Sequence, residues 1–400
     1  MNLVNGLASE GGKTVPTLGV GMLGHGFMGR AHAHALRTIG YMAWPPPLRP
    51  QLIELVGHRP EAVAEMARRY GFERATTDWR VLVEDPDVAL FDNVGPNDLH
   101  AEPTLAAVRA GKHVLCEKPL GRTAPESHEL WQAADAAGVV HMCGFNYRFV
   151  PAVRLARELI AAGEIGEVHS FRGAYLQDWL ADPESPYVWR LDRQRAGSGA
   201  LGDIGAHVID LARFLVGEIV AVNGRVRTVF PKRPGGLVDV DDTVEATIEF
   251  EHGAGGSISA SRLCHGRRNA LSFEVSGTKG SLAFDLERMN ELEVYLDDTR
   301  PGGEAQGFRR VLVTGPGDTQ IEHWWPPGHL LSWSDTFVNE IHHLLRAIAG
   351  ECDVEPYGAS FEDGYRVAEV CDAILRSSEQ RACQRIDYRA ARNITSSTKQ

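Results

Sequence analysis

No two of the six cysteines form a CxxC pair, so the chain offers neither a dithiol redox motif nor the paired thiolates of a structural zinc site. Cys116, Cys143, Cys264, Cys352, Cys371 and Cys383 are scattered, which reads as a reduced, cytoplasmic protein without a metal. No apolar run approaches the roughly 20 residues of a membrane helix. The opening MNLVNGLASEGGKTVPT has no apolar core of the kind a secretory signal carries. No basic block interrupts a formal net charge of −12, which argues against nucleic acid or an anionic membrane as partner. Tandem repeats and low-complexity blocks are also missing. What is present is 43% apolar and 24% charged residues over 400 positions, an ordinary globular composition with length for two domains.

Residues 1–16 read as a floppy lead-in, and 17–146 as a first domain in which strands and helices alternate. LGVGML at 18–23 is an apolar strand, and Gly24-His25-Gly26-Phe27-Met28-Gly29 follows it at once. That is GxGxxG between a strand and an Ala- and Leu-rich helix. One glycine permits the tight turn, the second admits a pyrophosphate to the backbone, and the third lets helix pack on strand. Free N–H groups at the helix start then face the phosphates. QLIELVG, VALFDNV, HVLCE and VVHMCGF continue as strands, separated by the helices PEAVAEMARRYG, LHAEPTLAAVRAG and APESHELWQAADAAG. The alternation predicts a doubly wound parallel sheet of the Rossmann type. Ligands of such sheets sit beyond the strand carboxyl ends, which places Glu117 and Lys118 on the same edge as the glycine loop.

An acidic residue that would hold the adenosine ribose is lacking at the end of the second strand. Gly57-His58-Arg59 stands there instead, leaving room for a 2′-phosphate, so NAD and NADP both remain open. Pro96, Asn97 and His100, beyond the third strand, complete the expected cofactor edge.

Residues 147–380 read as a substrate-binding and oligomerisation domain, followed by a tail at 381–400. Segments such as EVHSFRGAYLQDW, DDTVEATIEFEHGAGGSISASRLC and ALSFEVSGTKGSLAFD alternate in part and are broken by turn signals. They predict an open, mostly antiparallel sheet, its outer face covered by late helices or by another subunit. SDTFVNEIHHLLRAIAG and SFEDGYRVAEVCDAILRSSEQ have helical spacing. DIGAHVIDLARFL does too, with Asp203 and His207 four residues apart and so stacked on one helical face. That pair is either a capping Asp beside a packed His, or a carboxylate orienting an imidazole for proton transfer.

GxGxxG at 24–29, EKP at 117–119 and GDIGAHVID at 202–210 together resemble the Gfo/Idh/MocA oxidoreductases, over about residues 17–380. The resemblance implies a catalytic set of Lys118, Asp203 and His207, a dinucleotide cofactor and often a cis Lys118–Pro119 bond. GFNYRFVPAVRLARELI, FRGAYLQDW, WRLD and WWPPGHLLSW are similar to a sugar-oxidising branch that includes levoglucosan dehydrogenases and enzymes acting at C3 of glucosides. That branch implies NAD, a pyranose or cyclitol substrate, and a homodimer or homotetramer. Tyr147, Arg148, Gln177, Asp178, Trp179, Trp189, Arg190, His329 and Trp333 are the expected pocket, mixing polar groups with faces for sugar C–H bonds. In the expected reaction a secondary alcohol becomes a ketone. His207 would be the base, with Asp203 fixing its tautomer, and Lys118 would steady the oxygen or itself be the base. Inositol dehydrogenase is the alternative, and a non-catalytic dinucleotide-binding regulator a more distant one.

Overall fold

The computed structural model describes residues 15–297, 306–315, 321 and 323–390. Residues 1–14 of the expected lead-in and 391–400 of the expected tail lie outside them.

The first sheet has six parallel strands, β1 (Thr17–Leu23), β2 (Arg49–Val56), β3 (Arg74–Thr76), β4 (Leu90–Asn93), β5 (His113–Glu117) and β6 (His141–Gly144). Their order is β3-β2-β1-β4-β5-β6, the doubly wound arrangement whose switch point lies between β1 and β4. The connecting helices are α1 (Phe27–Met42), α2 (Pro60–Tyr70), α3 (Arg80–Glu84), α4 (Ala101–Arg109) and α5 (Ala124–Ala137). The central strands are buried without alternation because helices cover both faces; all of β4 is buried, Asp92 and Asn93 included. The expected five strands become six. Edge strand β3 has only three residues and no buried one, so it carries no hydrophobic period to read.

After α6 (Pro151–Ala161) the chain enters a nine-stranded sheet. Its strands are β7 (Val168–Leu176), β8 (Ile219–Arg227), β11 (Thr243–Phe250), β12 (Gly255–Ser261), β13 (Ala270–Gly277), β14 (Gly280–Asp285), β15 (Glu291–Leu296), β16 (Arg309–Leu312) and β17 (Gln384–Arg385); β9 (Lys232–Arg233) and β10 (Gly236–Leu237) form a separate ribbon. All neighbours pair antiparallel except β7 with β12. Short α7 (Arg193–Ala196) precedes α8 (Ala206–Leu215), and α9 (Trp333–Ile348) and α10 (Phe361–Gln380) end the helices. α8 lies against the inner face at Gly173, where a Cβ would come within 2.5 Å of Val208. The missing side chain lets the helix that bears His207 settle onto β7.

Two boundaries differ from expectation. β17 pairs with β8, so the segment just past residue 380 is sheet rather than tail. Phe337, Ile341, Leu344 and Leu345 of α9 join the core of the first sheet, with Leu36 and Ile39 of α1. The chain therefore returns to its first layer after building the second. α10 opens with a capping box at Ser360 and Asp363.

Candidate active site

The glycine loop has the shape its sequence requires. Gly24 has φ +114°, which a side chain would oppose. A Cβ on Gly29 would stand 2.4 Å from the Gly24 carbonyl, so α1 can approach β1 only with glycine there. A Cβ on Gly26 would meet nothing within 4 Å, the open side on which a pyrophosphate fits. The loop, the switch point at Val94-Gly95-Pro96 and the β5 end follow three neighbouring parallel strands and so lie along one edge of the sheet. Phe27 is exposed and stacks on Trp333 at 5.2 Å, joining the loop to α9, while Met28 packs into the first core. At the adenosine end, Gly57 is buried and the space of its missing side chain is held by the His25 imidazole. His58 and Arg59 are exposed beside it, with the His25 and His58 rings 5.9 Å apart.

β5 ends by delivering Glu117 and Lys118 to this edge, and the Lys118–Pro119 bond is cis. Lys118 Nζ donates to the Asp203 backbone oxygen at 2.6 Å and to its carboxylate at 3.3 Å. Arg262 Nη2 donates to the second carboxylate oxygen at 2.8 Å, and Arg190 Nε stands 3.9 Å from it. Burial would raise the Asp203 carboxyl, but these three cations hold it far below the usual carboxylate range. His207 is 6% exposed. Burial first, then the Lys118 charge, push its imidazole well below the ordinary value, against the opposing pull of Asp203. It is therefore neutral at physiological pH. Its ring lies 4.7 Å from Tyr147, 5.9 Å from Tyr175 and 5.8 Å from Phe145.

A hydrogen-bonded wall runs outward from His207. The Tyr147 and Tyr175 hydroxyls meet at 2.8 Å, and Tyr175 donates to Asn269 Oδ1 at 2.6 Å. Gln177 Nε2 donates to the same oxygen, and Trp179 Nε1 donates to Gln177 Oε1. Trp333 Nε1 reaches Tyr147 from the other side at 3.4 Å. Trp189 lies under the guanidinium groups of Arg190 and Arg195. Among the described residues, no group of three or more His, Cys, Asp or Glu side chains is placed to hold a metal ion.

Two family models match this chain. Residues 18–145 match the "Oxidoreductase family, NAD-binding Rossmann fold" and residues 153–283 the "GFO/IDH/MocA C-terminal domain". A levoglucosan dehydrogenase of Pseudarthrobacter phenanthrenivorans is 46% identical over 380 residues, covering 90% of this chain and 96% of that one. The chain belongs to the Gfo/Idh/MocA oxidoreductases. A solved levoglucosan dehydrogenase, in complex with NADH and levoglucosan, superposes with a TM-score of 0.90 at 46% identity, covering 93% of this chain and all (100%) of that one. An inositol 2-dehydrogenase of Rhizobium meliloti is 28% identical over 366 residues, covering 90% of this chain and 97% of its own.

Within this Gfo/Idh/MocA site the structure brings Lys118, Asp203 and His207 together, and seats Tyr147, Gln177, Trp179, Arg190 and Trp333 around them. It corrects several expectations. Asp203 makes no hydrogen bond with His207. Leu201–Gly205 forms a π-helical turn before α8, so Asp203 and His207 stand on two different helical segments rather than on one regular α-helix. Asp203 turns instead to Lys118 and Arg262. Arg148 is not a substrate contact: it is 3% exposed and bound to Asp210 and Asp363, which ties the segment after β6 to α8 and α10. His100 is buried between the Gly95 and Pro119 carbonyls, so it joins two cofactor-edge loops rather than facing a ligand. Glu117 likewise faces inward, accepting from the Lys118 N–H and meeting His32 Nε2 at 3.3 Å, with Asp92 on the other His32 nitrogen. Asn97 donates to the Ala196 carbonyl, bridging to α7. Exposed His329 bonds only to Pro326 of its own loop among the described residues. Asp178 accepts from Gly266 N and Arg268 at the rim. Arg190 faces Asp203, and Asp192 caps α7. Tyr175, Asn269 and Arg262 escaped the sequence reading; a buried arginine at a strand end looks, in sequence, like a solvated one.

Proposed function

We propose that this protein oxidises a secondary ring hydroxyl of a pyranose, glycoside or anhydrosugar, with levoglucosan first among candidates and C3 the reacting carbon, using NAD. The observation that carries this reading is a buried imidazole, His207, whose burial disfavours its charged form, beside a lysine already committed to a carboxylate. Bound NAD would supply the hydride acceptor, held by Gly24, Gly26 and Gly29 and the edge at Pro96 and Lys118. His207, kept neutral by burial, takes the hydroxyl proton as the carbon is oxidised. Lys118 has three N–H donors and two acceptors on Asp203, which leaves one donor for the substrate oxygen as it gains negative charge. That division of labour favours His207 as the base. Tyr147, Tyr175, Gln177 and Asn269 offer hydroxyl and amide groups to the sugar rim, and Trp179 and Trp333 offer faces for its C–H bonds.

The similarity to levoglucosan dehydrogenases supports NAD over NADP. We also propose a homo-oligomer in which a second copy covers the outer face of the large sheet, and a cytoplasmic location. Six free cysteines and the lack of any helix long and apolar enough to cross a membrane, among the described residues, agree with that location.

The test is reduction of NAD or NADP by the purified protein with levoglucosan, glucose, a methyl glucoside, myo-inositol or scyllo-inositol. Reduction of NAD with a pyranose is expected. Reduction with inositols alone would overturn the substrate class while keeping the chemistry. Nucleotide binding without turnover of any substrate would favour a regulator.

A further inference from the structure

Arg262 follows β12 directly and is 1% exposed. Its Nη2 donates to the Asp203 carboxylate and, at 3.0 Å, to the Gly199 carbonyl. Its Nε and Nη1 are buried with no hydrogen-bond partner. A guanidinium kept only to staple Gly199 would be a poor device: unpartnered buried N–H groups cost stability, and an apolar side chain of similar volume often serves as well or better. The ion pair of Arg262 is with Asp203, and its charge also acts on the buried Asp241 carboxylate.

The same strand end holds the turn in a second way. Asp241, just before β11, accepts from the N–H groups of Gly199 and Leu201 at 2.7 and 2.8 Å. β11 and β12 pair there, Thr243 opposite Ser261, so one end of the hairpin grips the turn that presents Asp203.

We propose that Arg262 is a positioning residue for the reaction: it fixes the Asp203 carboxylate toward Lys118 and offsets the negative charge that His207 faces. The charged groups facing Asp203 are Lys118 from the end of β5, Arg190 from the turn at Trp189–Leu191, and Arg262. Facing His207 are Lys118 and Asp203, together with the hydroxyls of Tyr147 and Tyr175. Without Arg262 the Asp203 charge is less compensated, and it draws the His207 imidazole toward protonation. The carboxylate is also free to swing, and Lys118 loses its fixed place. Arg262 itself is 1% exposed and offers a ligand almost no surface.

This inference rests on the dehydrogenase reading, and its test separates the two. Arg262→Met and Arg262→Lys are compared with the native protein in NAD reduction by its sugar, across pH, and in titration of the His207 imidazole by NMR with labelled histidine. For Arg262→Met we expect kcat to fall by about 10²-fold, as small misplacements in active sites do, with the sugar KM within about threefold. The acid limb of kcat/KM and the His207 titration should both move to higher pH. Arg262→Lys should recover part of both. Unchanged kcat, or lost kcat with both titrations unmoved, would overturn the proposal and leave Arg262 a plain staple. Arg262→Gln is read by the same criteria where the Met variant does not fold. The NMR titration needs no turnover, so it judges the charge coupling even where no sugar is oxidised; an inactive native protein counts against the dehydrogenase reading alone.

Discussion

At the residue scale the site works by distributing one carboxylate among several cations. Asp203 receives Lys118 on one oxygen and Arg262 on the other, and its negative charge is spent before it can act as a base. Lys118 is the member whose removal is most informative, because it touches the carboxylate and is the proposed partner of the reacting oxygen. Lys118→Ala is expected to lower kcat by roughly 10²–10⁴-fold, with NADH affinity by calorimetry changed by less than about threefold. Comparable losses in both would mean that Lys118 holds the nucleotide rather than the reacting oxygen. Two glycines of one motif should behave differently. Gly29→Ala drives a Cβ into the Gly24 carbonyl and should cost about 1–3 kcal/mol of stability. Gly26→Ala has open space and should leave the urea midpoint nearly unchanged while weakening NADH binding. Equal stability losses for the two would contradict the loop geometry.

At the scale of elements, the two sheets are tied by polar links as well as by packing. His141, at the start of β6, accepts the N–H of Phe361, the first residue of α10, at 3.1 Å. Burial lowers its imidazole from 6.5 to about 4, only partly opposed by Asp135. The sign follows from proton counting. Between pH 6.5 and 4 the unfolded chain takes up a proton that the folded one refuses, so stability is full above about pH 6.5 and falls as the pH drops toward 4. One such proton gives a slope of at most about 1.4 kcal/mol per pH unit. In urea melts between those limits, His141→Gln should lose that part of the slope; an unaltered slope would show that His141 titrates normally. The helical elements also show where periodicity misleads. The spacing of Asp203 and His207 is legible in sequence, but the π-helical turn at Leu201–Gly205 is set by its surroundings. Asp241 takes two N–H groups of the turn and its neighbourhood, and Arg262 takes Gly199 and Asp203.

For the whole molecule, the large sheet is the decisive surface. Its inner face carries Phe171, Tyr175, Ile258, Phe273 and Val275 against the helices. Its outer face carries small and polar residues, Ser170, Arg172 and Ala174 on β7 beside Ser257 and Ser259 on β12 and Ser272 and Glu274 on β13. Among the described residues no helix covers that face: α10 lies on the inner side, where Ile374 fills the space at Gly224. A face of mostly small and polar side chains, with the Arg172–Glu274 pair across it, suits a second sheet packed against it. Light scattering should therefore give a dimer or tetramer for the native chain, and Ala174→Arg a smaller species with unchanged circular dichroism. A native monomer would remove the proposal of a covering copy.

The sequence by itself determined the parallel first sheet and the glycine loop after β1, because periodicity and glycine placement are local properties of the chain; Lys118, Asp203 and His207 were legible only as short motifs that resemble the family's. It also placed the β-rich second half, where alternation marks a half-buried sheet. Tertiary structure alone decided what each charged side chain faces. Arg148 and Arg262 are both arginines near apolar strands or helices, yet one locks Asp210 and Asp363 inside the core and the other clamps Asp203 at the site. Which carboxylate an arginine meets depends on segments up to 215 residues away, and no local pattern encodes that distance.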